Sequence, residues 1–420
     1  MQTRRSLIAG GLAAPMLGAW RTSADPFKLM SEEGRYLPLA ARLRADVEGK
    51  TGPALLGAAQ SLAQHLARMG DEAGALAAWD LAFPNTRPGP DMDLTGATAR
   101  DALEEIVEAS RGRRIVILNE AHHVSHNRRF AERVAVALAA EGFNVFAAEA
   151  FQQGRPPAKS GPVTSADGLY LLDPVYAELL RVVRGAGYRL AAYEQRDDQE
   201  APDNATPAER TAAREEAQAD NLIALALRDP KARVLVYCGF GHLIESPSPR
   251  GERMFAARLK AKTGADPLTI EQARGKPVLD PEKDDPVVRA VSTKFGSYQS
   301  LVVRQADGTM VTTAGAGWMA ADLEVFHPRE PDMNGRPAWT SRDGRRLYLM
   351  LDWTKLPPGD QRLLQAIPEA ELKLSKAAVP ADQYPLRPAA KHGALYLRPG
   401  RYVVRVETPT GLHRIGAVTI

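Results

Sequence analysis

Four short apolar runs each end in a residue that can move a proton or hold a charge. Ile115–Leu118 leads into Asn119, Glu120, Ala121, His122 and His123; the run ending at Ala148 leads into Glu149; Tyr188–Tyr193 leads into Glu194; and Val234–Gly241 leads into His242. A carboxylate beside an imidazole is the minimum equipment for general-base hydrolysis. The carboxylate orients the ring, the ring takes a proton from water, and a second histidine or an arginine stabilises the developing oxyanion. Glu120, His122, His123, Glu149 and His242 are equally a nitrogen and oxygen donor set of the kind that binds a divalent metal. Residue types alone leave both chemistries open. No HExxH, GxSxG, P-loop or GxGxxG pattern imposes another mechanism. One such residue at a loop reads as a cap or a solvated charge, whereas four at equivalent positions read as a site.

The elements that would position them follow from the intervening sequence. A β-branched run without alternation fits a strand buried on both faces, as in a parallel sheet. Ser125 is placed to cap a helix with Phe130, Val134 and Leu138 on one face, closed by Glu141-Gly142. Asp173-Pro174 opens a second helix, and Gly185-Ala186-Gly187 ends it. Thr206-Pro207-Ala208-Glu209 has the form of a capping box and opens a third, expected to reach about Arg228. Strand and helix in alternation predict an α/β fold with a mainly parallel central sheet and crossover connections. Ligands of such sheets bind outside the carboxyl ends of the strands, so Glu120, Glu149, Glu194 and His242 are expected along one edge. Arg210, Arg214, Gln218 and Asn221 share a face of the third helix. An inward Arg214 would clamp a carboxylate or phosphate, although a solvated face with Glu–Arg pairs is the commoner meaning of this pattern.

The rest of the chain sets the frame. With 420 residues and 44% hydrophobic composition, it can bury a large core and build more than one domain. A net charge of +3, from 54 basic and 51 acidic residues, gives no footprint for nucleic acid. Residues 1–24 have the order of an export signal, with Thr3-Arg4-Arg5-Ser6-Leu7-Ile8 resembling a twin-arginine motif and Ala24 closing a weakly apolar run too short to span a membrane. The expected location is therefore periplasmic or secreted. Residues 27–100 read as a helical segment containing one tetratricopeptide-like hairpin broken at Gly70-Asp71-Glu72, with Pro84–Asp93 as a linker. Residues 101–330 form the α/β domain, with Pro277–Pro286 read as a charged loop and Tyr298–Arg304 and Leu323–Phe326 as extensions of its sheet. Residues 331–420 read as a small β-rich module in which Tyr402, Val404 and Val406 face a core and Val403, Arg405 and Glu407 face away from it. Cys238 is the single cysteine, which excludes an intrachain disulfide and reads as a buried, inert thiol.

The order of these motifs resembles the superfamily that unites erythromycin esterases, ChaN-like haem-binding proteins and TraB/Tiki proteins. Glu120 and His123 match the esterases' Gly-Glu-x-x-His, with Asn119 in place of the glycine; Glu149 matches the second motif; Arg214-Glu215 and Gln218-Ala219-Asp220-Asn221 match the third; and Gly241-His242 matches the last, with Glu245 where the esterases carry a second histidine. The similarity runs from Ala102 to Glu271. It implies a three-layer α/β domain and three activities: hydrolysis with a histidine base, metal-dependent proteolysis, or haem binding in iron uptake. Tyr237 and His126 are the haem-ligand candidates.

The expectation is thus an exported hydrolase of an ester or amide bond in a small-molecule or peptide substrate. His123 is the expected base, Glu120 and Glu149 orient it or bind metal together with His122 and His242, and Arg214 and His242 contact the substrate or oxyanion. The alternatives are a periplasmic haem- or metal-binding protein and a non-catalytic scaffold. The sequence carries no signal for oligomeric state.

Overall fold

The structure is a computed structural model that describes residues 25–83, 89–315, 317–350, 356–386 and 393–420. The expected export signal and the first half of the expected linker lie outside the described residues. Among these residues no helix is long and apolar enough to cross a membrane.

Four helices come first: α1 (Pro26–Glu33), α2 (Leu37–Val47), α3 (Gly52–Arg68) and α4 (Glu72–Asp80). Asp71 caps α4 by accepting from the Gly74 N–H at 3.1 Å, so the predicted break at residues 70–72 is a helix end and a new start. Then follow β1 (Thr98–Asp101), α5 (Ala102–Ala109), β2 (Ile115–Glu120), α6 (Ser125–Ala140), β3 (Val145–Ala148), α7 (Pro174–Gly185), β4 (Arg189–Ala191), α8 (Pro207–Leu222), β5 (Val234–Gly239), α9 (Phe255–Thr263), β6 (Leu268–Glu271), α10 (Pro286–Phe295), β7 (Leu301–Arg304) and β8 (Leu323–Glu324).

The central sheet has the order β4-β3-β5-β2-β6-β8, and every pairing in it is parallel. Alternate side chains of its strands enter two separate cores, which is why the runs are apolar throughout. Val116, Leu118 and Phe146 pack with Phe130, Val134 and Leu138 of α6 and Leu179 of α7. Ile115, Ile117 and Val236 pack on the other face with Leu222 of α8 and Phe255 and Leu259 of α9. The domain therefore has three layers. Removing a ring such as Phe130, 2% exposed, would cost about 3–5 kcal/mol.

Four local expectations change. Val124, not Ser125, is the cap of α6, because the Ser125 hydroxyl is used to donate to Asp173. α8 becomes a π turn over Ile223–Leu227 instead of continuing as α-helix to Arg228. α10 arises partly inside what reads as loop, capped by Asp285 with Pro286 at its start. β7 does not join the central sheet; it pairs antiparallel with β1 as a separate ribbon, whereas β8 does extend the sheet.

The C-terminal module contains β9 (Asp332–Met333), β10 (Arg336–Pro337), β11 (Arg346–Met350), β12 (Arg362–Pro368), α11 (Glu369–Leu374), β13 (Asp382–Leu386), β14 (Gly393–Leu397), β15 (Arg401–Thr408) and β16 (Gly411–Thr419). A β13-β12-β15-β16 sheet and a β11-β14 pair share one core that holds Leu364, Leu395, Tyr402, Val404 and Val406. The opposite face of β15 is not solvated as its composition implies. Glu407 accepts from the backbone N–H groups of Tyr36 and Leu37 at 2.8 and 2.9 Å, and Arg405 donates to the Gly34 carbonyl, so the N-terminal helices cover it. The charged residues there satisfy helix-end backbone groups, a demand that no local pattern in β15 announces.

Candidate active site

The carboxyl edge of the sheet is a row of charges. β2 ends at Glu120, whose Oε1 lies 2.7 Å from Nδ1 of His122. The same carboxylate takes Nε and Nη2 of Arg128 at 2.8 and 2.9 Å and the Tyr237 hydroxyl at 2.8 Å. Arg128, buried on α6, also donates to the His122 carbonyl and forms an ion pair with Asp173, which caps α7. Burial alone would raise the Glu120 carboxyl; the Arg128 charge and the His122 and Arg128 hydrogen bonds overcome it and hold it at about 2.

The neighbouring strands supply a second cluster. Glu149, following β3, accepts from Nη2 of Arg214 at 2.6 Å and from the Gly239 N–H at 2.6 Å. Arg214 also binds Glu194, through Nε at 3.1 Å and Nη2 at 2.5 Å, and Gln218 donates to the same carboxylate at 3.0 Å. His242 holds Glu215 through Nδ1 at 2.8 Å, with its Nε2 3.6 Å from Glu149. Burial works against its charge, but Glu215 and Glu149 win and raise it to about 10, so it is an imidazolium at neutral pH.

Gly239 joins the two clusters. A Cβ there would lie 2.5 Å from Nε2 of His122 and 3.2 Å from Oε2 of Glu149, so only glycine leaves room for both side chains. The next residue, Phe240, has φ +32°, a strained conformation for an aromatic residue at the turn that delivers His242. A tight, nearly closed crevice lies at this point, lined by Glu120, His122, Glu149, Tyr170, Tyr176, Tyr237 and Gly239 among others.

The structure thus gathers Glu120, His122, Glu149, Glu194, Arg214, Gln218 and His242. It does not bring in His123. That ring lies 3.9 Å from Trp79 of α4, stacked within 8°, and both of its nitrogens are buried without a hydrogen-bond partner among the described residues. Burial, then the charges of Lys276, His122 and Arg128, hold its pKa far below the ordinary range, so it stays neutral. The expected base His123 therefore stands apart from the cluster, while His122 lies in it: β2 ends at Glu120, and the turn that follows, closed by the Val124 N–H donating to the Ala121 carbonyl at 2.8 Å, sends the two rings to different neighbours. The face of α8 carrying Arg214, Gln218 and Asn221 turns inward, while Arg210 stays exposed and donates to the Asp203 carbonyl. Asn119, in the position of the esterases' glycine, ties three strand ends together by donating to Glu271 and to the Phe240 carbonyl, both at 2.8 Å. Glu245 pairs with Lys260 at 2.8 Å. Cys238 is buried, as expected.

Glu215, part of the third motif, holds His242, while Arg128, Asp173 and Tyr170 belong to the site and carry no motif. A signal for Arg128 was available: Asn127, Arg128 and Glu132 interrupt the inward face of α6, and buried charge there requires partners.

The expected metal ligands do not fit a metal in this arrangement. Both oxygens of Glu120 are taken by three donors, both nitrogens of His242 face carboxylates, and His123 faces an indole. Among the described residues no group of three or more His, Cys, Asp or Glu side chains is placed to hold an ion. The haem candidates do not meet either: Tyr237 lines the crevice and donates to Glu120, while His126 stacks on Trp339 at 5.5 Å.

No protein-family model and no curated protein matches the chain. Solved structures give distant likenesses. One described as bacterial protein toxins is 15% identical with a TM-score of 0.32, over 56% of this chain and 53% of that chain. A MARTX toxin effector domain, RRSP, from Vibrio vulnificus is 17% identical with a TM-score of 0.31, over 54% and 50%. The C-terminal region of Pasteurella multocida toxin is 12% identical with a TM-score of 0.30, over 56% and 34%. The chain spans about half the length of the first two, and likenesses this distant carry no functional argument.

Proposed function

We propose that the protein is an exported hydrolase of an ester or amide bond, with His122 as general base. The observation that carries this reading is the Glu120–His122 pair at 2.7 Å, with the other imidazole nitrogen lying against Gly239. The Glu120 carboxylate fixes the tautomer with the proton on Nδ1, leaving the Nε2 lone pair for water. In the proposed step the water oxygen bonds to the carbonyl carbon as Nε2 takes its proton. The tetrahedral oxyanion then collapses, the carbon–oxygen or carbon–nitrogen bond breaks, and Nε2–H protonates the departing alcohol or amine. Arg214 and the His242 imidazolium offset part of the charge of Glu149, Glu194 and Glu215 beside the crevice. The export reading rests on the order of charge, apolar run and small residues within positions 1–24.

The test is turnover of p-nitrophenyl esters and fluorogenic peptides by purified protein. His122→Ala is expected to cost about 10²–10⁴-fold, while His123→Leu costs far less. Equal turnover by His122→Ala and the parent protein would sink the proposal.

A further inference from the structure

Nearly every donor in the crevice is already committed to a carboxylate. Arg128 and the Tyr237 hydroxyl serve Glu120, the Gly239 N–H serves Glu149, Arg214 serves Glu149 and Glu194, and His242 lies between Glu215 and Glu149. An oxyanion formed there needs a donor that is not spent. Two lining side chains qualify, because the hydroxyls of Tyr170 and Tyr176 have no hydrogen-bond partner among the described residues. Tyr176 is the deeper, 2% exposed, beneath the Arg128 guanidinium and edge-on to Tyr237 at 5.6 Å. Tyr170 is half-buried, and its ring stacks on the His122 imidazole at 4.4 Å.

The backbone around Tyr170 is built to hold it there. Gly168 has φ +142° and presses against the Ala150 carbonyl so closely that a Cβ would overlap it, which docks the segment directly beside Glu149. A 3₁₀ turn, Leu169–Leu172, follows and ends at Asp173. Asp173 is pinned by Arg128, by the Ser125 hydroxyl at 2.9 Å and by the Val175 N–H at 2.7 Å. The phenol is thus fixed from both sides by residues of the same site. Burial first, then the Glu149 charge, raise its pKa above the ordinary tyrosine value against the opposing Arg68 and Arg214 charges. It remains protonated, and therefore a donor, throughout the working range of a histidine base.

We propose that the Tyr170 hydroxyl donates a hydrogen bond to the substrate's carbonyl oxygen and to the oxyanion that forms as water adds. This rests on the hydrolase reading above. Stacking fixes the phenol relative to the base, so the attacking water and the accepting oxygen are positioned by two rings in contact.

The experiment compares Tyr170→Phe with the parent and with His122→Ala, using p-nitrophenyl butyrate as probe and methyl butylphosphonate as a tetrahedral mimic. Tyr170→Phe is expected to lower kcat by roughly 10²–10³-fold with KM nearly unchanged, to weaken the phosphonate by a comparable factor, and to keep the parent's melting temperature. A structural role would instead lower the melting temperature and leave the ratio of phosphonate affinity to KM unmoved. Parent-like kcat in Tyr170→Phe, with His122→Ala inactive, would overturn this assignment alone. A parent protein that hydrolyses neither esters nor peptides, or an active His122→Ala, would overturn the hydrolase reading and this inference with it.

Discussion

The two halves of the sheet edge carry the same residues and use them differently. On β4, β3, β5 and β2 the terminal Glu194, Glu149, His242 and Glu120 face arginines and one another across a crevice. On β6 and β8, Glu271 and Glu324 are paired in register and equally buried. Their partners are uncharged amides, backbone groups and a hydroxyl for the most part: Glu271 accepts from the Ala273 and Arg274 N–H groups at 2.7 and 3.1 Å and from Asn119, and Glu324 accepts from the N–H and hydroxyl of Thr313. The histidines divide in the same way. His242 sits between two carboxylates and is charged, whereas His327 lies between the Ser300 hydroxyl at 2.8 Å and the Gln272 amide oxygen at 3.1 Å, and burial holds it at about 3. A glutamate at a strand end is therefore not in itself a sign of chemistry. Long-range cationic partners mark the half read here as catalytic; backbone partners mark the half that closes loops.

The largest test of this division is Arg128→Ala, which strands Glu120 and Asp173 as buried charges. It is expected to lower stability by about 3–5 kcal/mol in urea unfolding; a loss below 1 kcal/mol would mean that the cluster is solvated. Next comes Glu149→Gln, expected to reduce ester turnover about 10²-fold, because the cations around Glu149 lose their shared counter-charge.

The histidine contrast predicts opposite pH dependences. His327 is neutral in the fold and charged when unfolded, so its contribution falls below pH 6.5 until about pH 3. His242 is charged in the fold, so its contribution is complete below pH 6.5 and is lost as pH rises towards 10. Each slope is at most about 1.4 kcal/mol per pH unit. Imidazole NMR titration would show the two signals moving at opposite ends of the range; a shared midpoint near 6.5 would erase the distinction. The smallest effect belongs to Glu324→Gln. Burial first, with the Glu271 charge, raises this carboxyl to about 7, so the neutral amide replaces a group already half neutral. Stability is expected to move by less than about 1 kcal/mol and turnover not at all. A turnover loss matching that of Glu149→Gln would break the comparison.

What was legible in the sequence follows from range. The parallel order of β2 to β5, the capping box at Thr206 and the convergence of Glu120, Glu149, Glu194 and His242 all follow from local patterns and one topological rule. The inward turn of Arg214 was visible as a face but not as a direction, since a polar stripe reads alike against solvent and against buried carboxylates. The choice between His122 and His123 turned on a ring 44 positions before His123: Trp79 takes that imidazole, and Glu120 keeps the other. Tyr170 had no pattern because a short 3₁₀ turn has none. β15 misled for a different reason, its outward face being covered by helices from the far end of the chain.

That cover has a consequence for how the protein comes into being. The first turn of α2 is capped by Glu407, 370 positions later, and Gln383 holds the end of α3 through the Arg68 carbonyl at 2.6 Å. During synthesis the earliest helices emerge long before the strand that completes them, and contacts of such sequence separation form late. The polypeptide cannot close in the order in which it is made. A chain ending before Glu407 is expected to leave α1–α3 protease-sensitive around an assembled sheet, which links the integrity of the beginning to arrival of the end.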